Sequence, residues 1–150
     1  MKNISIKINK DAIISEISLA TAYAAAKADS NDRLLFERVA TIKADDEILH
    51  RFWREMTGKI THRLQEFIAA TEVTDEFFSM TLEVSGGYDE ILSPSVETDL
   101  FSCMAAGIIS GWFRFSLPQR AAEWMQESDS FLDRAVSKLC HRSKPRRNIK

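Results

Sequence analysis

The feature that most constrains the fold is a run of fourteen uncharged residues, LFSCMAAGIISGWF, at positions 100–113. A helix with this sequence is apolar nearly all round, so we expect it to be the most buried element of the protein. As a helix the run spans about 21 Å, which is too short to cross a hydrocarbon core of roughly 30 Å. It therefore predicts a central helix over residues 96–115 in a soluble domain, with no membrane partner.

Small side chains in this central helix predict a close contact with a neighbouring helix. The first predicted helix, over residues 12–28, contains the run AYAAAKA and is the candidate partner, because alanine favours helix and adds little bulk. The positions that leave room for the approach are Ala106, Gly107, Ser110 and Gly111.

Capping signals predict where the helices begin and end. Asp11, Asp45 and Ser95 are the expected N-caps of helices over 12–28, 46–70 and 96–115. Acidic residues favour the first turn of a helix, and those expected there are Asp46, Glu47, Glu97 and Asp99.

Two further helices complete the predicted set. The spacing of Ser116-Leu117-Pro118-Gln119 fits a capping box, and the helix that follows should end near His141. A short helix is predicted over residues 33–42.

Two segments alternate apolar and polar residues, as half-buried strands do. They are residues 4–8 and 77–84. The second strand could pair with the first, or form a hairpin with residues 88–92 through Gly86-Gly87. The sequence thus predicts a mainly α, four-helix bundle-like single domain over 1–142 with a short antiparallel β element.

Charge is distributed unevenly along the 150 residues, whose composition is otherwise that of an ordinary globular domain. The net charge is −2, yet residues 1–140 hold 15 basic against 22 acidic residues. The tail over 143–150 is read either as a solvated terminus or as an electrostatic arm for nucleic acid or an acidic protein. The basic residues at this end are Arg142, Lys144, Arg146, Arg147 and Lys150.

The two cysteines predict free thiols in a reducing, cytoplasmic setting. In an antiparallel helix pair, Cys103 and Cys140 would be offset by about 13 Å along the axis, whereas a disulfide needs Cα atoms within about 7 Å. Two buried or partly buried thiols are therefore expected. The opening MKNISIKINKDAI lacks the apolar run of a secretory signal.

A metal site is the sharpest chemical hypothesis that the sequence offers. Glu47 and His50 have the Glu-x-x-His spacing of di-iron bundles, and His62 and Glu66 lie four residues apart. At 100° per residue, however, the apolar face of this helix points away from Glu47, His62 and Glu66, and His50 falls at its border. We therefore expect no metal, and no cofactor.

No catalytic motif is found in the sequence. The Gly86-Gly87 pair is not part of a phosphate-binding loop, and neither a P-loop nor a G-x-S-x-G elbow occurs. The chain is therefore expected to be no enzyme.

Large aromatic side chains are numerous for this length. Most should lie in the core, and they include Trp53, Trp112, Phe113, Phe115 and Trp124. A single helix cannot bury every side in a monomer of this size, so some of Phe101, Phe113 and Phe115 could form a subunit interface.

The order of several local strings carries a resemblance. ISLATAYAAAK, LFERV and DDEILHRFWREM precede a β-like middle, then GWF, Pro118 and a basic KPRR tail. Together they resemble small helical proteins of tailed-phage and prophage structural gene clusters. The resemblance implies a non-enzymatic head–tail connector or tail-assembly component, in the cytoplasm or the virion, that contacts itself or other virion proteins as an oligomer. The alternative is a small helical nucleic-acid-binding or regulatory protein that uses the basic arm.

Overall fold

The structure is a computed structural model that describes residues 1–27 and 46–142. It confirms the mainly α class, with a small antiparallel sheet of three strands. In chain order the elements are β1 Lys2–Asn9, α1 Lys10–Lys27, α2 Asp46–Arg63, β2 Ile68–Val73, β3 Phe77–Val84, a 3₁₀ turn Glu90–Leu92, α3 Ser93–Phe113 and α4 Pro118–Cys140.

The sheet has the order β1-β3-β2, with both pairs antiparallel. Ile6 lies opposite Met80 and Ile8 opposite Phe78, so the alternating apolar residues of both strands share the buried face. The predicted pairing of 4–8 with 77–84 is confirmed. The hairpin with 88–92 is wrong, because residues 90–92 form the 3₁₀ turn.

The strand β2 corrects the helix predicted over 46–70, which ends at Arg63. Residues after the turn at 64–67 pair with β3 instead, beginning with the Glu83 amide, which donates to the Phe67 carbonyl at 2.6 Å. Thr74 closes the hairpin, since its hydroxyl accepts from the amide of Phe77 at 3.0 Å. Long-range strand pairing thus overrides a weak local helix preference.

The helix α3 is the central element, as predicted, and most of its residues are buried. It begins at Ser93 with Pro94 in its first turn and Leu92 as N-cap, so Ser95 is not the cap. The Ser95 hydroxyl accepts from Lys138 instead. Because the helix starts three residues early, Glu97 and Asp99 fall beyond its first turn.

The helix that approaches the glycines of α3 is α2, whereas α1, the predicted partner, packs on α3 away from these glycines. A Cβ added at Gly107 would overlap Met56, and one added at Gly111 would lie 2.9 Å from the Phe52 ring. On α3's side toward α4, the Ser110 hydroxyl donates to the Ala121 carbonyl at 2.7 Å. The small residues therefore serve two different neighbours.

The remaining helix ends agree in part with the sequence. Asp46 and Glu47 lie in the first turn of α2, and α4 ends at Cys140 with His141 as C-cap, as predicted. Asp11 lies inside the first turn of α1 and is not its cap. The capping box at Ser116 is wrong, because Leu117 is the N-cap and no side chain bonds there.

Two predictions, the helix over 33–42 and Asp45 as N-cap, concern residues outside those described. None of the helices in 1–27 and 46–142 is long and apolar enough to span a bilayer.

Candidate functional site

The residues of the metal hypothesis do not converge. Glu47 and His62 are exposed, and Glu66 lies in the turn after α2, so it is not on the same helix as His62. Among the described residues, no group of three or more His, Cys, Asp or Glu side chains could hold a metal ion.

His50 joins three elements instead. Its Nδ1 lies 2.7 Å from Lys10 Nζ, while its Nε2 lies 3.0 Å from Arg54 Nε and 3.5 Å from Asp75 Oδ1. A neutral imidazole accepts at one nitrogen only, so the Lys10 bond and the Arg54 bond exclude each other. When Lys10 donates to Nδ1, the Nε2 proton faces Asp75. The cluster fastens the starts of α1 and α2 to the β2–β3 turn.

The main candidate site is a groove between α2 and β2, with a volume of about 740 Å³. One wall is a helical stripe that includes Thr57, Gly58 and Thr61, and the other includes Thr71 and Val73 of β2. The hydroxyls of Thr57 and Thr61 donate to carbonyls of their own helix, at 2.8 and 2.7 Å. Toward the groove they can therefore only accept hydrogen bonds.

Trp53 lines this groove and has no exposed surface, yet its Nε1 has no hydrogen-bond partner in the described part of the chain. An unsatisfied buried donor costs about 1–3 kcal/mol. The indole is therefore a buried donor beside the groove that lowers the stability of the fold.

The sequence does not predict this groove, because the helix predicted over residues 46–70 includes the first residues of β2. The signal that could have revealed it is the β-branched pair Thr71 and Val73 within IAATEV.

A second candidate surface lies at the corner between α3 and α4. Phe115 is 88% exposed there, beside a cleft of about 500 Å³ that Leu117 and Pro118 help to line. The other aromatic side chains named in the sequence analysis differ in burial. Trp53 and Phe113 are buried, and Trp112, Trp124 and Phe101 are partly buried. Only Phe115, of the three phenylalanines expected near an interface, is fully available to a partner.

The two thiols are free, as predicted, but they differ in exposure. Cys103 is buried and lies 3.4 Å from the Ser128 hydroxyl, which donates to the Cys103 carbonyl at 2.8 Å. Burial raises the pKa of this thiol above 9.0, more than the Ser128 hydrogen bond lowers it. Cys140 is exposed, which contradicts the expectation that both thiols are at least partly buried.

The predicted basic arm is described only at its first residue. Arg142 pairs through its backbone with Tyr88 and so belongs to the folded body. Lys144, Arg146, Arg147 and Lys150 lie outside the described residues.

Comparison with known proteins gives no relative for this site. No family model, no curated protein and no solved structure matches the chain.

Proposed function

We propose that this chain is a non-enzymatic interaction protein that works as an oligomer, with its four helices arranged as a bundle-like support around α3. The observation that carries the proposal is the exposure of Phe115 at the α3–α4 corner. Aromatic side chains supply much of the binding energy of protein interfaces, because each removes a large apolar area from water.

Phe115 lies in the turn between α3 and α4, two helices that are hydrogen-bonded to each other. The Ser110 hydroxyl donates to the Ala121 carbonyl near the corner, and the Ser128 hydroxyl donates to the Cys103 carbonyl further along the same helix pair. A residue held on a fixed support loses little conformational entropy when a partner binds.

Several other large apolar side chains are exposed on different elements. They include Leu19, Tyr23, Ile48 and Val73. Leu19 and Tyr23 stand one helical turn apart on α1, and Val73 borders the groove. Such a distribution suits a protein with more than one contact surface.

The experiment compares Phe115→Ser with Ile91→Ser, a matched control at an equally exposed position on the 3₁₀ turn. Sedimentation equilibrium should show self-association weakened about tenfold by the first change, as expected for a central interface aromatic, and unaltered by the second. Equal association of both variants and the parent chain would overturn the role of Phe115.

The resemblance makes the proposal more specific: a head–tail connector or tail-assembly component of a tailed phage or prophage. Its test is the identity of the neighbouring genes. Portal, capsid or tail genes beside this one are expected, and a setting of metabolic genes alone would contradict the virion role.

A second candidate function is nucleic-acid binding through the basic arm. It is favoured by five basic residues and no acid among the last ten residues of an otherwise acidic chain. Deleting residues 143–150 should abolish retention of DNA or RNA at low salt if this function is real. Weak binding that the deletion leaves unchanged across a salt series would end the idea.

A further inference from the structure

The two edges of the sheet are protected unequally. Strand edges offer unpaired amide and carbonyl groups, and natural proteins commonly block them with lysine. β1 carries Lys2 and Lys7. β2, with the sequence IAATEV, has no lysine or proline and one charge, Glu72. On its outer side β2 has no strand neighbour among the residues that the structure describes.

At β2, the side of the sheet that faces the helices is exposed. Val73 lies opposite Phe78 and Thr71 opposite Met80, so both belong to the face that packs on the helices. Phe78 and Met80 are buried, whereas Thr71 is exposed and Val73 is 47% exposed. An added strand would extend this face under the groove wall formed by α2.

The strand is chemically suited to pair with its own copy. The register shift between Ile68 and Ala70 limits the regular edge to residues 70–73. In a two-fold antiparallel pair that continues the sheet, one residue must lie opposite itself. A centre at Glu72 would set two carboxylates against each other, which is unfavourable. A centre at Ala70 would bring the irregular end of the strand into the pair, and a centre at Val73 would set Thr71 opposite Asp75, which lies beyond the end of β2.

A centre at Thr71 avoids both problems. It sets threonine against threonine, a favourable cross-strand pair, and it sets Glu72 against Ala70 of the second copy. On these grounds we infer that β2 pairs antiparallel with β2 of a second copy, centred on Thr71, and joins two sheets into one of six strands. Because each copy uses the same edge, the contact closes at a dimer.

This inference rests on the proposed self-association and names one of its surfaces. The test is disulfide trapping of Thr71→Cys in a chain that also carries Cys140→Ser, since Cys140 is the exposed native thiol. Opposed residues of antiparallel strands have Cα atoms about 4.5–5.5 Å apart, within the range of a disulfide. We expect a linked dimer on mild oxidation, visible on a non-reducing gel.

The matched control is Val73→Cys in the same background. In the proposed register, the two copies of position 73 lie four residues apart, about 13 Å along the strand, so they should not form a disulfide. Equal linking of the two variants, or none by Thr71→Cys, overturns the inference. If the unmodified chain still shows a raised mass in that case, the proposed function survives; if the mass is that of a monomer, both fail.

A charge exchange gives a second readout. Thr71→Lys and Thr71→Glu, tested singly, each place like charges opposite each other and should weaken dimerisation at least about tenfold. An equimolar mixture should regain it, because lysine then faces glutamate. Failure of the mixture to recover, with both variants folded by circular dichroism, contradicts pairing at Thr71.

Discussion

Two glycines that differ in surroundings show how single residues set the packing of α2. Gly107 on α3 meets the side chain of Met56, whereas Gly58 within α2 has nothing within 4 Å of the place where a Cβ would be. The same substitution should therefore have opposite effects at the two positions.

Gly107→Ala is predicted to lower the free energy of unfolding by about 1–3 kcal/mol, because the new methyl group forces Met56 out of place. Gly58→Ala, the control, should raise it by up to about 1 kcal/mol through helix propensity. Urea denaturation of both variants measures the difference. A Gly107→Ala variant as stable as Gly58→Ala or more so would contradict the close approach of Met56 to Gly107.

The buried Cys103 thiol predicts how stability depends on pH. Its folded pKa is raised by burial, so its contribution is fully present below pH 9.0 and is lost as pH rises through the folded value. The free energy of unfolding should fall above pH 9.0 more steeply in the parent chain than in Cys103→Ala. Identical slopes for the two chains would show that the thiol ionises freely in the folded state.

At the scale of elements, a buried ion pair ties the start of α3 to the end of α4. Lys138 Nζ lies 2.6 Å from Asp99 Oδ2, and the carboxylate side chain is only 10% exposed. A second pair, between Arg63 and Asp133, links α2 to α4 at 3.4 Å with both side chains largely in water. The two pairs share chemistry and differ in burial.

Asp99→Ala should destabilise the protein by about 1.5–3 kcal/mol, the usual cost of losing a hydrogen bond to a charged group. Asp133→Ala should change the free energy of unfolding by less than about 0.5 kcal/mol, because exposed pairs contribute little. Thermal or urea unfolding separates the two. Equal effects would mean that Asp99 is not held by Lys138 inside the helix pair.

Elements could be predicted where the signal is local. The uncharged run gives α3 its central place. The helical period of the preceding helix predicts seven inward residues, of which Phe52 and Phe67 are half-buried and five are buried: Leu49, Trp53, Met56, Ile60 and Leu64. β2 could not be predicted in this way, because its hydrogen bonds go to β3 rather than to its own neighbours. The cap predicted at Ser95 fails because its hydroxyl accepts from Lys138 of α4, whereas Ser116 Oγ is buried with no hydrogen-bond partner among the described residues.

The candidate sites could be predicted from the sequence to different degrees. Phe115 belongs to an aromatic group expected to exceed the capacity of the core, and the structure places it in water. The groove depends on how much of the sheet the helices cover, and the spacing of residues in the sequence does not predict this. That Trp53 Nε1 has no hydrogen-bond partner among the described residues can be learned only from the structure.

At the scale of the whole molecule, the surfaces that we propose for self-association are the exposed Phe115 and the edge of β2, which has no strand neighbour within residues 1–27 and 46–142. Each surface is small, so we expect association that depends on concentration. Exposed surfaces of this kind are buried when a further copy or a partner protein binds.

The mass of the unmodified chain, followed by light scattering from micromolar to millimolar concentration, reports self-association without any substitution. We predict a mass that rises with concentration from 17.1 kDa to at least twice that value. A mass that stays at 17.1 kDa over the whole range would contradict self-assembly.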